Sequence, residues 1–369
     1  MTVAHFPTPG EPAPGFTQRS AANPRYTFDT AAGRYLVLAF LHDMTDPANV
    51  ARVEAVLARG DLFSDMFASC FAVSTNPDDE DHGRLTNRIP GFRVIWDQDL
   101  SVSHRYGAAG PDGARTGAWV LVDPTMRVIA TIPFTPDGGD AQALLELLAR
   151  QPPPERFAGI ALQAPILYLP RVFEPELCRR LVALYDAQGG EPSGFMREID
   201  GRTVGVSDLR HKSRRDIIIE DPTLIKELQV RISRRVIPEI AKVHQFHVTR
   251  MERYIVSCYD AAEAGHFTAH RDNTTSGTAH RRFAVSINLN DDFEGGEVSF
   301  PEYGPRGFKA PVGGAVVFSC SLLHKVSKVT AGRRYAFLPF LYDNAAAKMR
   351  AANRGKLDAN AVERRPNAS

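Results

Sequence analysis

The sequence predicts two domains of different class: an α/β sandwich over roughly the first 150 residues, then a jelly-roll-type double sheet with supporting helices. Three observations carry this. Continuous apolar runs such as YLVLAFL (35–41) and CFAVS (70–74) alternate with helical stretches, the texture of strands buried on both faces. A proline-rich break, QPPPE (151–155), stiffens the chain and ends the helix before it. Beyond residue 250, short strand-like runs are separated by Gly, Pro and Asp/Asn turns, as in a double sheet.

In the first half, residues 35–41 read as a strand, 47–57 as a helix, 70–74 as a second strand and 93–96 as a short third. Residues 117–122, the turn Asp123-Pro124 and residues 128–132 read as a hairpin, and an amphipathic helix over 140–150 closes the unit. Several phrases resemble the peroxiredoxin branch of the thioredoxin fold: GEPAPGF (10–16), residues 92–107 with Asp97 and Tyr106-Gly107, and Arg115 with residues 120–123. The resemblance covers roughly residues 5–150 and implies a thioredoxin-like sandwich. It does not bring peroxidase activity with it. That family sets its reactive cysteine at the start of the helix after the first central strand, where the helix end and an arginine activate the thiolate. Here the segment is HDMTDPAN (42–49), without a cysteine. Cys70 falls in or beside a buried strand and reads as an inert core thiol. A docking or scaffold module, or a remnant, is the expectation.

The whole chain narrows the function classes. With 369 residues it can bury two cores without staples. Lys+Arg 44 against Asp+Glu 43 gives no electrostatic case for nucleic acid or an anionic membrane. The cysteines, Cys70, Cys178, Cys258 and Cys320, form no CxxC or zinc-type spacing, which points to a reducing compartment. The N-terminus lacks the pattern of a signal peptide, and no apolar stretch approaches the roughly 20 residues that span a bilayer. The expected location is the cytoplasm. Oligomeric state is not fixed by the sequence, and a homodimer stays open.

In the second half, residues 165–173 read as a strand with a turn. Residues 175–186 read as a helix, with Pro175 early and Glu174 and Glu176 near its positive end. Residues 221–240 read as another long helical stretch, and strands are expected over 254–259, 267–270, 283–289, 297–300, 315–319 and 335–342.

The chemistry lies among those strands. GHFTAHRD (265–272) contains the chain's only His-x-Asp. In an extended strand, residues i and i+2 point the same way, so His270 and Asp272 can face one metal. His324 lies 54 residues on, just past the 315–319 strand. Two imidazoles and one carboxylate on one face of an octahedral iron leave the other face open, as non-haem Fe(II) oxygenases require. With eleven histidines in the chain, that spacing alone has little specificity. Arg333 and Arg334 begin the next strand, and alternation sends only one of them inward. A buried arginine needs an anion, and its planar fork suits a carboxylate.

These segments resemble the prolyl-hydroxylase-like branch of the 2-oxoglutarate and iron(II)-dependent dioxygenases. The resemblance spans roughly residues 165–343, through SCYDAAEAGHFTAHRDN, INLNDDFEGGEVSFPEYG and APVGGAVVFSCSLLHKVSKVTAGRRYAF. It implies a double-stranded β-helix that binds Fe(II) through His270, Asp272 and His324, the residues that would carry catalysis. Arg334 matches the arginine that pairs with the distal carboxylate of 2-oxoglutarate, and Tyr259 matches a tyrosine near that co-substrate. Asn288 stands where several relatives carry a tyrosine that bonds the co-substrate, a bond an amide could donate. Pro339-Phe340 replaces an aromatic often found late on the last strand. The implied reaction consumes 2-oxoglutarate and O2, with ascorbate as a supporting reductant, and hydroxylates a C–H bond with release of succinate and CO2. The first substrate expectation is a prolyl or other amino-acid residue of a peptide or protein; a free amino acid or small metabolite is second. A thiol redox protein and a non-catalytic oxygen- or 2-oxoglutarate-sensing protein are the alternatives of another class.

Other features read blandly. His266 packs at a strand edge. His280, among Arg281 and Arg282, reads as a solvated loop residue. The loop 273–280 reads as a connector, with a mobile flap as the alternative, and HKSRRD (211–216) as a solvated face, with a site for an acidic substrate as the alternative. The expected organisation is a peroxiredoxin-like domain over 1–151, a Pro-rich linker over 152–160, the dioxygenase domain over 161–343 and a polar tail over 344–369.

Overall fold

The computed structural model describes residues 5–357; the expected polar tail beyond 357 and the first four residues of the expected first domain lie outside them. The chain divides into two compact units, Met1–Gln163 with Pro301–Pro305, and Ala164–Phe300 with Arg306–Ser369. Among the described residues, no helix is long and apolar enough to cross a membrane.

The first unit is a thioredoxin-like α/β sandwich. Its sheet runs in the order Phe92–Trp96, Ala68–Ser74, Tyr35–His42, Ala118–Val122, Val128–Pro133. The first three strands are parallel, and the last two pair antiparallel. The central run YLVLAFLH is buried at every position because both faces are covered. On one face Val37, Ala39, Val94 and Leu121 meet Val53, Val56, Leu144 and Leu148 from helices Pro47–Leu57 and Gly139–Ala149. On the other, Phe40 packs against Tyr106 and Phe71 against Phe28. Two short helices, Pro77–Asp81 and Ser101–Tyr106, were not anticipated from periodicity, being too short to show one.

The second unit is a jelly roll buttressed by helices. Helices Pro175–Gln188, Pro222–Arg235 and Ile237–His244 bury Leu181, Leu228, Ile232 and Ile240 against Val256, Val285, Ile287 and Phe337 of the larger sheet. The long helix expected over 221–240 is two helices, because Pro238 sits at the start of the second rather than inside one. Likewise the strand expected over 335–342 is two, Val329–Phe337 and Phe340–Tyr342. A hairpin, Phe195–Ile199 with Arg202–Val206, was missed although Asp200-Gly201 is a strong turn signal. In the larger sheet the central path pairs Phe283–Asn288, Val329–Phe337, Ile255–Asp260 and Arg215–Ile218. The smaller sheet orders Lys212–Ser213, His266–His270, His324–Val326, Val298–Ser299 and Gly307–Phe308.

Alternation along the larger sheet separates two environments. Val256, Cys258, Val285, Ile287 and Phe337 belong to the helix-side core, while their neighbours Ser257, Tyr259, Ser286, Asn288 and Arg334 form the polar side. A one-residue slip would exchange the two faces, so the apolar pattern fixes which polar residues reach the interior.

Within the first unit, Arg52 and Asp140 form a buried pair at 2.8 Å, and Trp119 Nε1 donates to the same carboxylate at 2.8 Å. Burial alone would raise the Asp140 carboxyl; the Arg52 guanidinium overrides it and holds it at about 2. Its stabilisation is therefore present above the unfolded value and is lost as pH falls toward 2. Asp140→Ala leaves Arg52 buried and unpaired, and is expected to cost about 3–5 kcal/mol, read by urea unfolding at pH 7 through tryptophan fluorescence. Trp96 and Trp119, the chain's two tryptophans, both lie in this unit, so the signal is local. The double variant Arg52→Met/Asp140→Leu recovers most of the loss; a cost under about 1 kcal/mol for Asp140→Ala would contradict this account.

Candidate metal centre

His270 and His324 sit opposite one another on neighbouring antiparallel strands of the smaller sheet, their rings 4.2 Å apart. Asp272 follows His270 by two residues, where the strand has just ended, and its backbone N–H donates to the Cys320 carbonyl at 2.9 Å. One ligand atom from each of the three residues lies within 4.8 Å of the others.

The hydrogen bonds fix which atoms face inward. His270 Nδ1 lies 2.7 Å from the Thr268 carbonyl, and His324 Nδ1 lies 3.0 Å from that of Leu322. A carbonyl only accepts, so both Nδ1 atoms carry the proton and both Nε2 atoms present lone pairs. Those Nε2 atoms point at Asp272, at 3.6 and 3.3 Å. Two lone pairs and a carboxylate aimed together repel unless a cation stands among them. Burial, then His324, pushes the His270 imidazole down to about 4, favouring the neutral ligand form. Phe267 stacks on His270 at 3.5 Å and Phe318 packs on His324 at 4.6 Å, shielding the ligands. The donor set therefore fits a divalent iron.

Across the sandwich, Arg334 is 2% exposed. Its Nε donates to Asn288 Oδ1 at 3.0 Å and its Nη2 to Ser286 Oγ at 2.7 Å, while Nη1 is buried without a partner. Its guanidinium stands 5.3 Å from the ring centre of Tyr259, its register partner. Arg333, by contrast, is exposed and pairs with Asp260. The Asn288 side chain accepts from Arg334 through its oxygen, while its amide nitrogen donates to the Ala310 carbonyl at 2.7 Å. Gly296, at φ +64°, is more than a turn residue, since a Cβ there would meet Arg334 Cδ at 2.9 Å.

Two other readings are corrected. The run 211–216 is not a solvated face: Lys212, Ser213 and Arg214 are buried, because residues 212–213 and 215–218 pair as strands with both sheets. Arg214 donates to Asp216 at 2.7 Å and to the Tyr259 hydroxyl at 3.3 Å. Burial and neighbouring Arg214 push the Lys212 ammonium well below its ordinary range. His280 is not solvated either; its Nε2 donates to buried Glu252 at 3.0 Å, and Arg281 pairs with the same carboxylate at 2.9 Å. The loop before it is tied down through Ser276 to Glu198. His266 lies at a strand edge between the Ala264 and Arg210 carbonyls. The missed inward residues had a signal in their spacing of two: Lys212, Arg214 and Asp216, and Ser286 two before Asn288.

Residues 254–342, which include the His270, Asp272 and His324 set, Tyr259, Asn288 and Arg334, match the family described as the 2OG-Fe(II) oxygenase superfamily. The second unit carries a 2OG-Fe(II) oxygenase domain. A PKHD-type hydroxylase of Cupriavidus metallidurans is 27% identical to the chain over 183 residues, 46% of this chain and 75% of that protein. The chain spans 39% of the length of other PKHD-type hydroxylases that it matches. Among solved structures, a prolyl hydroxylase from Trichoplax adhaerens in complex with a hypoxia inducible factor peptide is 17% identical at a TM-score of 0.38. It covers 51% of this chain and 86% of its own. Mycobacterium tuberculosis AhpC is 16% identical at a TM-score of 0.33, covering 39% of this chain and 92% of its own.

The oxygenase family uses Fe(II) and 2-oxoglutarate, and the aim of Arg334 is testable apart from turnover. Asn288→Ala removes the acceptor at Nε, and Gly296→Ala crowds Cδ. Anaerobic titration of the Fe(II)-loaded variants with 2-oxoglutarate is expected to give a Kd raised about tenfold, with Fe(II) affinity within about twofold of wild type. Unchanged 2-oxoglutarate affinity in both variants would show that neither residue positions Arg334.

Proposed function

We propose that the oxygenase domain hydroxylates an unactivated C–H bond of a prolyl or other amino-acid residue in a peptide or protein, with a free amino acid or small metabolite as the alternative substrate. Each turnover converts R–H, 2-oxoglutarate and O2 into R–OH, succinate and CO2. The observation that supports this most is the buried Arg334, one nitrogen unpartnered, in the same sandwich as a His-Asp-His set whose lone pairs converge. A metal site alone would need no such arginine.

His270, Asp272 and His324 would hold the iron, each imidazole fixed in its tautomer by a backbone carbonyl. Bound iron with 2-oxoglutarate and oxygen supplies an oxidant strong enough to take hydrogen from carbon. Arg334 would hold the distal carboxylate, its fork kept in orientation by Ser286 and Asn288. Phe267 and Phe318 keep water from the imidazoles, which protects both charge pairing and the reactive stage. The name of the Cupriavidus relative, a hydroxylase, agrees with this reading.

A thiol redox role gains no support. All four cysteines are buried and free, and burial pushes the Cys70 thiol far up. The helix start at Pro47 is capped by the Asp46 side chain, with Ala48 and Asn49 following.

Aerobic incubation with Fe(II), ascorbate, 2-oxoglutarate and cell extract is expected to release succinate and give products 16 Da heavier, the mass of one oxygen. His270→Ala should lower succinate release at least about 100-fold. Equal release by wild type and His270→Ala would overturn the proposal.

A further inference from the structure

A second set of buried cations stands beside the site and is short of anions. The segment from Lys212 to Asp216 crosses from the sheet that carries the metal ligands to the sheet that carries Arg334. Lys212 pairs with Phe267 and Ser213 with His266; Arg215 pairs with Cys258 and Asp216 with Ser257. Lys212 and Arg214 are 4% and 6% exposed. Lys212 Nζ lies 5.1 Å from the Phe267 ring centre, and that ring stacks on His270. Arg214 reaches the Tyr259 hydroxyl, whose ring lies beside Arg334. One ring thus separates Lys212 from a metal ligand, and one ring separates Arg214 from the co-substrate arginine.

Their acceptors do not balance their charge. Asp216 takes Arg214 at 2.7 Å and is also 3.5 Å from the partly exposed Arg253, while its other oxygen accepts from Ser257. Lys212 Nζ donates only to neutral oxygens, Ser193 Oγ at 2.8 Å and the Gly194 carbonyl at 2.6 Å. Arg214 Nε is buried with no partner among the described residues. Two guanidiniums therefore share one carboxylate, and among the described residues Lys212 Nζ has no carboxylate within hydrogen-bond reach, an unfavourable position for a buried ammonium until an anion arrives. In the reading above, 2-oxoglutarate cannot be that anion, since Arg334 and the metal claim its two carboxylates.

We infer that Lys212 and Arg214 form a carboxylate-binding subsite for the molecule that is hydroxylated. The substrate then carries a carboxylate near the reacting carbon, whether as a free amino acid, a peptide C-terminus or an acidic side chain. This rests on the oxygenase reading proposed above and narrows its substrate class. It favours the sources that offer a carboxylate over a neutral internal residue.

The test uses the full-length chain loaded with Fe(II), 2-oxoglutarate and ascorbate. It is incubated with a pooled set of amino acids and short peptides, each present as the free acid and as its matched amide. Side-chain and C-terminal carboxylates are blocked in separate arms to identify the source. Mass spectrometry is expected to find oxygen added to the acids at least about tenfold faster than to the matched amides, the effect of one charged hydrogen bond. Lys212→Met should reduce that preference to under about threefold, and Lys212→Arg should keep it. A merely structural lysine would lower both rates together and leave the ratio alone. Amides hydroxylated as fast as acids, or an acid preference that survives in Lys212→Met, would overturn the inference. Failure of the oxygenase reading itself shows separately, as succinate release no greater than that of His270→Ala.

Discussion

A guanidinium buried between two sheets stays charged only if something negative or strongly polar meets it, and Arg334 imposes that condition on the second unit. Its immediate neighbours, Ser286 and Asn288, are neutral. They orient the fork without cancelling its charge, which leaves the electrostatic demand for a ligand. Reaching that position depends on the alternation of the larger sheet, which places Tyr335 and Phe337 in the helix-side core and Arg334 on the polar side. It also depends on Gly296, whose missing side chain leaves room for the arginine stem.

The two sheets divide the chemistry between them. The smaller one supplies the converging lone pairs and carboxylate, and the larger one supplies the buried Arg334. Because His270 and His324 are register partners, their spacing is set by backbone pairing rather than by loop conformation. Sites built on strands hold geometry more tightly than sites built on loops. Glu252, His280 and Arg281 form a buried charge network beside the Asp272 segment, where Arg281 donates to the Asp272 carbonyl at 3.5 Å. The first unit has a sandwich of its own, with the buried Cys70 thiol and the Arg52–Asp140 pair at its core.

Much of this was legible because it repeats locally. Buried runs such as residues 35–41 and the helix over 47–57 follow from short-range pattern, and the His270-x-Asp272 spacing is legible in the sequence although the strand ends at His270. Choosing Arg334 over Arg333 needed the family resemblance, since alternation alone allows either. What stayed hidden depends on partners distant in sequence. Lys212 and Arg214 read as a charged surface until residues 212–213 and 215–218 pair with strands some forty to fifty-five residues away. His280 looks exposed among arginines until it meets Glu252. The contacts of Asn288 to Arg334 and to the Ala310 carbonyl likewise join residues distant in sequence. In each case tertiary pairing overrides local composition.

The central claim is that Arg334 Nη1 awaits a distal carboxylate. Anaerobic binding to the Fe(II)-loaded protein of 2-oxoglutarate and of 2-oxopentanoate, which keeps the 2-keto acid end but lacks that carboxylate, tests it most directly. Wild type should bind 2-oxoglutarate at least about 100-fold more tightly, and Arg334→Met should bring the two affinities within about threefold. Equal affinities in wild type, or a preference that survives in Arg334→Met, would contradict the account.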